Sequence, residues 1–155
     1  MHDEMLGSLM VEFYAAISGP AGPRDAERER RVFHPAARLM RTGVDEAGRP
    51  WIKIMTVDDY LEDTRAFFAA NDLYEVEIAQ RVDRFGNVAH VRSVYEKRWR
   101  LAASNDAEHV GRGVNSVQLY NDGARWWVIS VLWDNERAGV VLPREWLAKT
   151  SVSAG

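Results

Sequence analysis

Apolar positions along the chain follow a helical period in the first half and a two-residue period in the second. Over residues 3–18, Leu6, Leu9, Met10, Phe13 and Ile17 recur at helical spacing and form one apolar stripe, which Gly19-Pro20 ends. Asp25 is placed to cap a short charged helix reaching Val32, and Phe33-His34-Pro35 stops it, because proline excludes the helical conformation from the residue before it. A short strand over 36–42 and an extended 51–55 lead into Thr56-Val57-Asp58-Asp59, a capping-box-like start. The helix that follows runs to Ala70 and buries Tyr60, Leu61, Thr64, Phe67 and Phe68. Residues 73–84 and 88–101 then alternate as a hairpin about Gly86-Asn87, and 112–134 as a second hairpin about Asp122-Gly123, where the turn needs a positive φ. One helical turn after Pro143 docks Trp146. Helices precede the sheet, so the pattern predicts an α+β fold with helices on one sheet face, as a single domain over 1–150 with a disordered tail at 151–155.

The strand over 125–133 is apolar on both faces, so each face needs cover: helices on one side, and a second subunit or more sheet on the other. In the preceding hairpin, strict alternation assigns Tyr74, Val76, Ile78, Gln80, Val82, Ala89, Val91, Ser93, Tyr95 and Trp99 to the inner face. Glu75, Glu77, Arg81, His90, Arg92, Glu96 and Arg98 fall on the solvated face. The same reading pairs Val82 with Val91, Gln80 with Ser93 and Ile78 with Tyr95. In the last hairpin, Ser116, Gln118 and Trp133 are assigned inward and Asn115 outward. Gln80, Ser93 and Tyr95 are then polar groups on an apolar face, which either satisfy one another or line a cavity.

Composition narrows the chemistry. A formal charge of −3, with 20 basic and 23 acidic residues interspersed, leaves no electrostatic footprint for nucleic acid or an anionic membrane. The absence of cysteine excludes disulfides and thiolate metal sites and fits a cytoplasmic setting. The opening MHDEMLGSLM lacks the basic segment and apolar core of a signal peptide, and no apolar run is long enough to span a membrane. The four histidines, His2, His34, His90 and His109, show no metal-ligand spacing, so neither metal nor cofactor is expected. His34 alone sits near where a pocket would open and is a candidate general base, although a helix-stop role before Pro35 is the favoured reading. Asp58-Asp59 and Glu62-Asp63 read as helix-start and solvated acids.

The runs FHPAARLM, TVDDYLEDTRAFF, FGNVAHVRSVYEKR and RGVNSVQLYNDGARWWVISVLWDNE resemble bacterial members of the nuclear transport factor two-like superfamily. That group includes SnoaL-like cyclases and ketosteroid isomerase, and the resemblance spans residues 5–147. It implies a cystatin-like α+β cone: a curved antiparallel sheet wrapped around N-terminal helices, a pocket at the open end, and a homodimer across the outer sheet face. By the same resemblance Tyr14 matches the first-helix tyrosine that serves ketosteroid isomerase as oxyanion donor. Arg41 stands where that enzyme keeps its carboxylate base, and Ser116 falls near its second donor, so two of three roles are missing.

Two functions remain open. One is a cone that binds a small, largely apolar or aromatic molecule, with or without cofactor-free acid–base chemistry of isomerase, hydratase or cyclase type. Its catalytic candidates are His34 and Tyr14, and its pocket candidates are Phe13, Ile17, Phe67, Gln80, Ser93, Tyr95, Ser116, Gln118 and Trp133. The other is a homodimeric structural or protein-interaction module whose cone is filled by its own side chains.

Overall fold

The structure is a computed structural model; it describes residues 4–148 in full and the backbone alone of residues 2–3 and 151–154. Its elements in chain order are α1 (His2–Ala15), α2 (Ala26–Val32), β1 (Phe33–Val44), β2 (Pro50–Met55), α3 (Val57–Ala70), β3 (Asn71–Phe85), β4 (Val88–Leu101), β5 (His109–Asn121) and β6 (Trp126–Asn135). A 3-10 turn over Arg144–Leu147 and a short β7 (Ser151–Ala154) follow. The strands form one sheet in the order β2-β1-β6-β5-β4-β3-β7. Neighbours are antiparallel except β1 beside β6 and β7 beside β3.

The helices form where the apolar period and the caps coincide. On α1, Leu6, Leu9, Met10, Phe13 and Tyr14 are buried against the sheet, because spacings of three and four bring them to one side. Asp25 accepts from the Arg28 amide at 3.1 Å to open α2. Thr56 and Asp59 exchange side-chain and backbone hydrogen bonds at the start of α3, a complete capping box. The 16–25 linker is held by Arg24, whose guanidinium donates to the carbonyls of Ile17, Pro20 and Gly19 at 2.8, 2.9 and 3.1 Å. Gly86 and Gly123, at φ of 56° and 98°, supply the left-handed turn residues of the two long hairpins.

Curvature comes from breaks in the strand ladders. Glu77 pairs with Tyr95 while Ala79 pairs with Val94, so Ile78 is an extra residue. Gln118 pairs with Ser130 while Leu119 pairs with Val128, so Ile129 is another. A third shift lies between Phe33 and Arg38, across Pro35, which has no amide for the ladder. Each extra residue bends its strand and raises its local twist, and together the breaks wrap the sheet around α1 and α3. The core fills the concave side, from Leu6, Met10 and Phe13 on α1 to Val91, Val117, Leu119 and Val128 on the sheet.

The breaks also overturn several face assignments. Tyr74, Val76 and Ile78 are exposed on the convex face, at 49%, 53% and 37%, while Glu75 and Glu77 turn inward. Beyond the bulge the expected pairings of Val82 with Val91 and Gln80 with Ser93 hold; before it, Glu77 replaces Ile78 opposite Tyr95. On β5 the buried residues are Gly113, Asn115, Val117, Leu119 and Asn121, so Ser116 and Gln118 face outward, while the break at Ile129 still leaves Trp133 inside. The 3-10 turn stacks Trp146 beneath the Arg92 guanidinium at 4.0 Å, as expected of the segment after Pro143. Of the tail expected to be disordered at 151–155, only the backbone over Ser151–Ala154 is described, as β7, and residue 155 lies outside the described residues. Among the described residues no helix is long and apolar enough to cross a membrane.

Candidate functional site

The concave side of the sheet and the inner faces of α1 and α3 leave a cavity of about 410 Å³. One wall is aromatic and comes from the helices: Phe13 and Ile17 from the end of α1, and Tyr60, Phe67 and Phe68 from α3. These α3 residues reach the cavity because positions 60, 64, 67 and 68 share one helical face. Opposite them the sheet contributes Leu39, Val131 and Trp133, with Tyr60 and Trp133 meeting edge to face at 6.4 Å. The volume suits a small ring compound, and most of its lining is apolar.

The other wall is polar and lies where β3, β4 and β5 run side by side. Glu75 and Lys97 are direct cross-strand partners, and both line the cavity with Asn115 from β5. Burial is the main influence on Glu75 and raises its carboxyl from 4.5 to about 7, with the Lys97 charge and an Asn115 hydrogen bond opposing the rise. Burial also lowers the Lys97 ammonium; the Glu75 charge counters this and the Arg41 charge adds to it. At neutral pH Glu75 therefore stands near half-protonation and can give or take a proton.

Behind Asn115 a row of hydrogen bonds runs into the core. The Asn115 amide donates to the Tyr14 hydroxyl at 3.1 Å, and Tyr14 lies 2.5 Å from Ser93 Oγ. Ser93 in turn donates to the Glu77 carboxylate, which also accepts from the Gln80 amide at 2.9 Å. Since the Ser93 proton goes to Glu77, the Tyr14 proton goes to Ser93. Burial raises Tyr14, Tyr60 and Tyr95 well above the ordinary phenol value, so all three stay protonated. Tyr95 donates to Asn135 Oδ1 at 2.5 Å. Gly113, its cross-strand partner, makes room for it, since a Cβ there would come within 2.3 Å of the Tyr95 hydroxyl. Tyr60, by contrast, lines the cavity with no hydrogen-bond partner among the described residues.

Charged residues set the rim. Arg41 bonds Asp63 at 2.6 Å, Lys53 closes on the same carboxylate, and the Arg41 guanidinium lies 5.6 Å from the Trp133 ring. These two cations hold the Asp63 carboxyl below its ordinary range, with the Lys53 hydrogen bond the larger cause. Trp99, stacked on His109 at 5.2 Å, completes the opening.

Five of the residues singled out from sequence, Phe13, Ile17, Phe67, Tyr95 and Trp133, come together around the cavity. Tyr14, Ser93 and Gln80 do not line it; they form the hydrogen-bonded row behind it. His34 lies on the convex side against Tyr120 and Trp127, at ring distances of 6.2 and 5.8 Å, with Nδ1 accepting from the Ala36 amide. It points there because Phe33 takes the inward position at the start of β1. Ser116 bonds His90 at 3.0 Å on the same convex face, and Gln118 is exposed there. Sequence reasoning missed Glu75, Lys97, Asn115 and Tyr60 as a polar set, and the only signal was the poor fit of Tyr74, Val76 and Ile78 beside two glutamates. Among the described residues no group of three or more histidines and carboxylates is placed to hold a metal.

No protein-family model and no curated protein matches the sequence. Solved structures do match in fold. An NTF2-like protein of unknown function from Shewanella baltica aligns with a TM-score of 0.55 at 12% identity, over 87% of this chain and 94% of that one. A scytalone dehydratase-like protein from Novosphingobium aromaticivorans aligns at 0.65 and 10% identity, covering 87% and 84%. LinA aligns at 0.65 and 9% identity, over 91% and 92%. At such identities the likeness concerns the fold and carries no residue roles.

Proposed function

We propose that this chain, which has the NTF2-like α+β fold, binds a small, largely apolar ring compound in its cone and performs cofactor-free acid–base chemistry on it through Glu75. The observation that carries the reading is a carboxyl raised to about 7 on the polar wall of a largely apolar cavity of about 410 Å³. A base poised near the working pH combines the right protonation state with driving force for transfer. Tyr60 stands by as a neutral donor for an oxygen on which charge develops, while Asn115, bonded to Tyr14 and Glu75, holds the carboxyl in place. Such a set suits an isomerase, hydratase or cyclase type of reaction, and the likeness to a dehydratase-like protein is compatible with that class.

The free volume favours this reading over a self-filled interaction module, which has no use for an open aromatic cavity. The convex face supports a further proposal, a homodimer across the outer sheet, since Tyr74, Val76, Ile78, Val88, Tyr120 and Leu132 are all exposed there. A thermal-shift screen against steroids, aromatic polyketides, terpenoids and small acids tests the binding claim. Stabilisation of several degrees by one class, reduced in Tyr60→Phe, is the expected outcome. A flat response across all four classes overturns it.

A further inference from the structure

We propose that Lys97 captures an aldehyde or ketone in the cavity as an imine, with Glu75 carrying the protons. The inference rests on the cavity being a ligand site and goes beyond it by naming a nucleophile and a substrate class. The chain has three lysines, Lys53, Lys97 and Lys149. Lys53 is engaged by Asp63 at the rim, and Lys149 lies outside the described residues. Lys97 is half-buried, lines the cavity, and stands directly across from Glu75 in the β3–β4 register. Among the described residues its ammonium makes no ion pair at contact distance and lies 5.2 Å from the centre of the Trp99 ring. An amine needs a lone pair to attack a carbonyl, and desolvation together with a base across the strand is what makes one available. Burial, the leading cause, lowers this ammonium, in keeping with that placement.

The steps balance without any oxidant or reductant. The Glu75 carboxylate takes one proton from the ammonium, and the freed nitrogen lone pair forms a bond to the carbonyl carbon while the carbonyl π pair moves onto oxygen. That oxygen takes the proton from Glu75, giving a protonated carbinolamine. Glu75 then removes a nitrogen-bound proton and delivers it to the hydroxyl, which leaves as water while the nitrogen lone pair closes the C=N bond. The products are the protonated imine, one water and the regenerated carboxylate. Phe13, Tyr60 and Trp133 pack the ring of the bound compound, so a ring-bearing carbonyl is favoured over a short aliphatic one.

The test uses the intact chain at pH 7 with 2-naphthaldehyde and sodium cyanoborohydride, which reduces an imine to a stable secondary amine. Peptide mapping should find Lys97 labelled well ahead of the other lysines, with the α-amino group scored separately as a background site. Lys97→Arg, which keeps the cation but forms no imine, should lose that label, and Glu75→Gln should slow its appearance by about tenfold or more. The alcohol 2-naphthalenemethanol, which fits the same space and cannot form an imine, is measured alongside by thermal shift. No adduct, or labelling of Lys53 and Lys149 as fast as Lys97, overturns the inference. If the alcohol still stabilises the protein in that case, the ligand-site reading stands alone; if it does not, both fall.

Discussion

Glu29 and Glu75 are both carboxyls that burial raises to about 7, yet they occupy opposite kinds of place. Glu29, on α2, is 1% exposed, and its Oε1 has no hydrogen-bond partner. Glu75 opens onto a cavity, faces a lysine across the sheet and has Asn115 beside it. A perturbed carboxyl is thus no sign of chemistry by itself. What separates the two is access and company: one is sealed in the core, while the other has room for a reacting atom and neutral donors around it.

The largest expected effect breaks that comparison directly. With a substrate found by the screen, Glu75→Gln should lower kcat/KM by about 100-fold or more, since positioned acid–base groups contribute on that scale. Glu29→Gln should leave kcat/KM within about twofold, because its side chain is not part of the cavity wall. Equal losses in the two variants would erase the distinction.

Stability should not separate the two carboxyls in the same way. A carboxyl whose folded pKa lies above its ordinary value holds its proton more tightly in the folded chain. It therefore favours the fold at low pH and loses that contribution as pH rises from 4.5 through about 7. For Glu29 the interval corresponds to on the order of 3 kcal/mol. Urea unfolding at pH 5 and pH 8 should find the wild-type chain less stable at the higher pH. Glu29→Gln and Glu75→Gln should each remove a comparable part of that difference, since both carboxyls are raised from 4.5 to about 7. A wild-type stability that rises over this interval contradicts the assignment.

The row behind the cavity gives a smaller effect. Tyr14→Phe deletes the hydroxyl that joins Asn115 to Ser93 and leaves a buried amide and a buried serine short of a partner. A loss of about 1–3 kcal/mol is expected, read as a fall in urea midpoint. It should also loosen Asn115 beside Glu75, so the titration of Glu75 should move upward as its hydrogen-bond donor becomes less well held. Glu29 should titrate unchanged in this variant.

How far the site could be read from sequence depends on which half of β3 is considered. After Ile78 the alternation, the Gly86 turn and the pairings of Gln80 and Val82 follow from local pattern, and the residues on β4 keep one face throughout. The capping box on α3 and the α1 stripe are equally local, and they put Phe13, Ile17 and Phe67 near the cavity. Before Ile78 the pattern misleads, because one inserted residue exchanges the faces and Tyr74-Glu75-Val76-Glu77 alternates equally well either way up. Hydrophobicity then selects the wrong face: the apolar set is exposed and the two acids are inside. The same ambiguity sent Gln118 and Ser116 inward, since β6 is apolar on both sides and gives no polarity to break the tie.

The smallest expected effect tests that correction. Gln118 is exposed on the convex face, paired with Ser130 across the break in β6, with the sheet between it and the cavity. Gln118→Leu should therefore leave ligand affinity within about twofold, as is usual for a surface change away from a site. Asn115→Leu, three residues earlier on the inner face, should weaken binding and shift the Glu75 titration. Calorimetric titration of both variants with the same ligand decides between the two faces of β5. A large loss from Gln118→Leu with Asn115→Leu silent would return the strand to strict alternation and place the polar wall on the other side of the sheet.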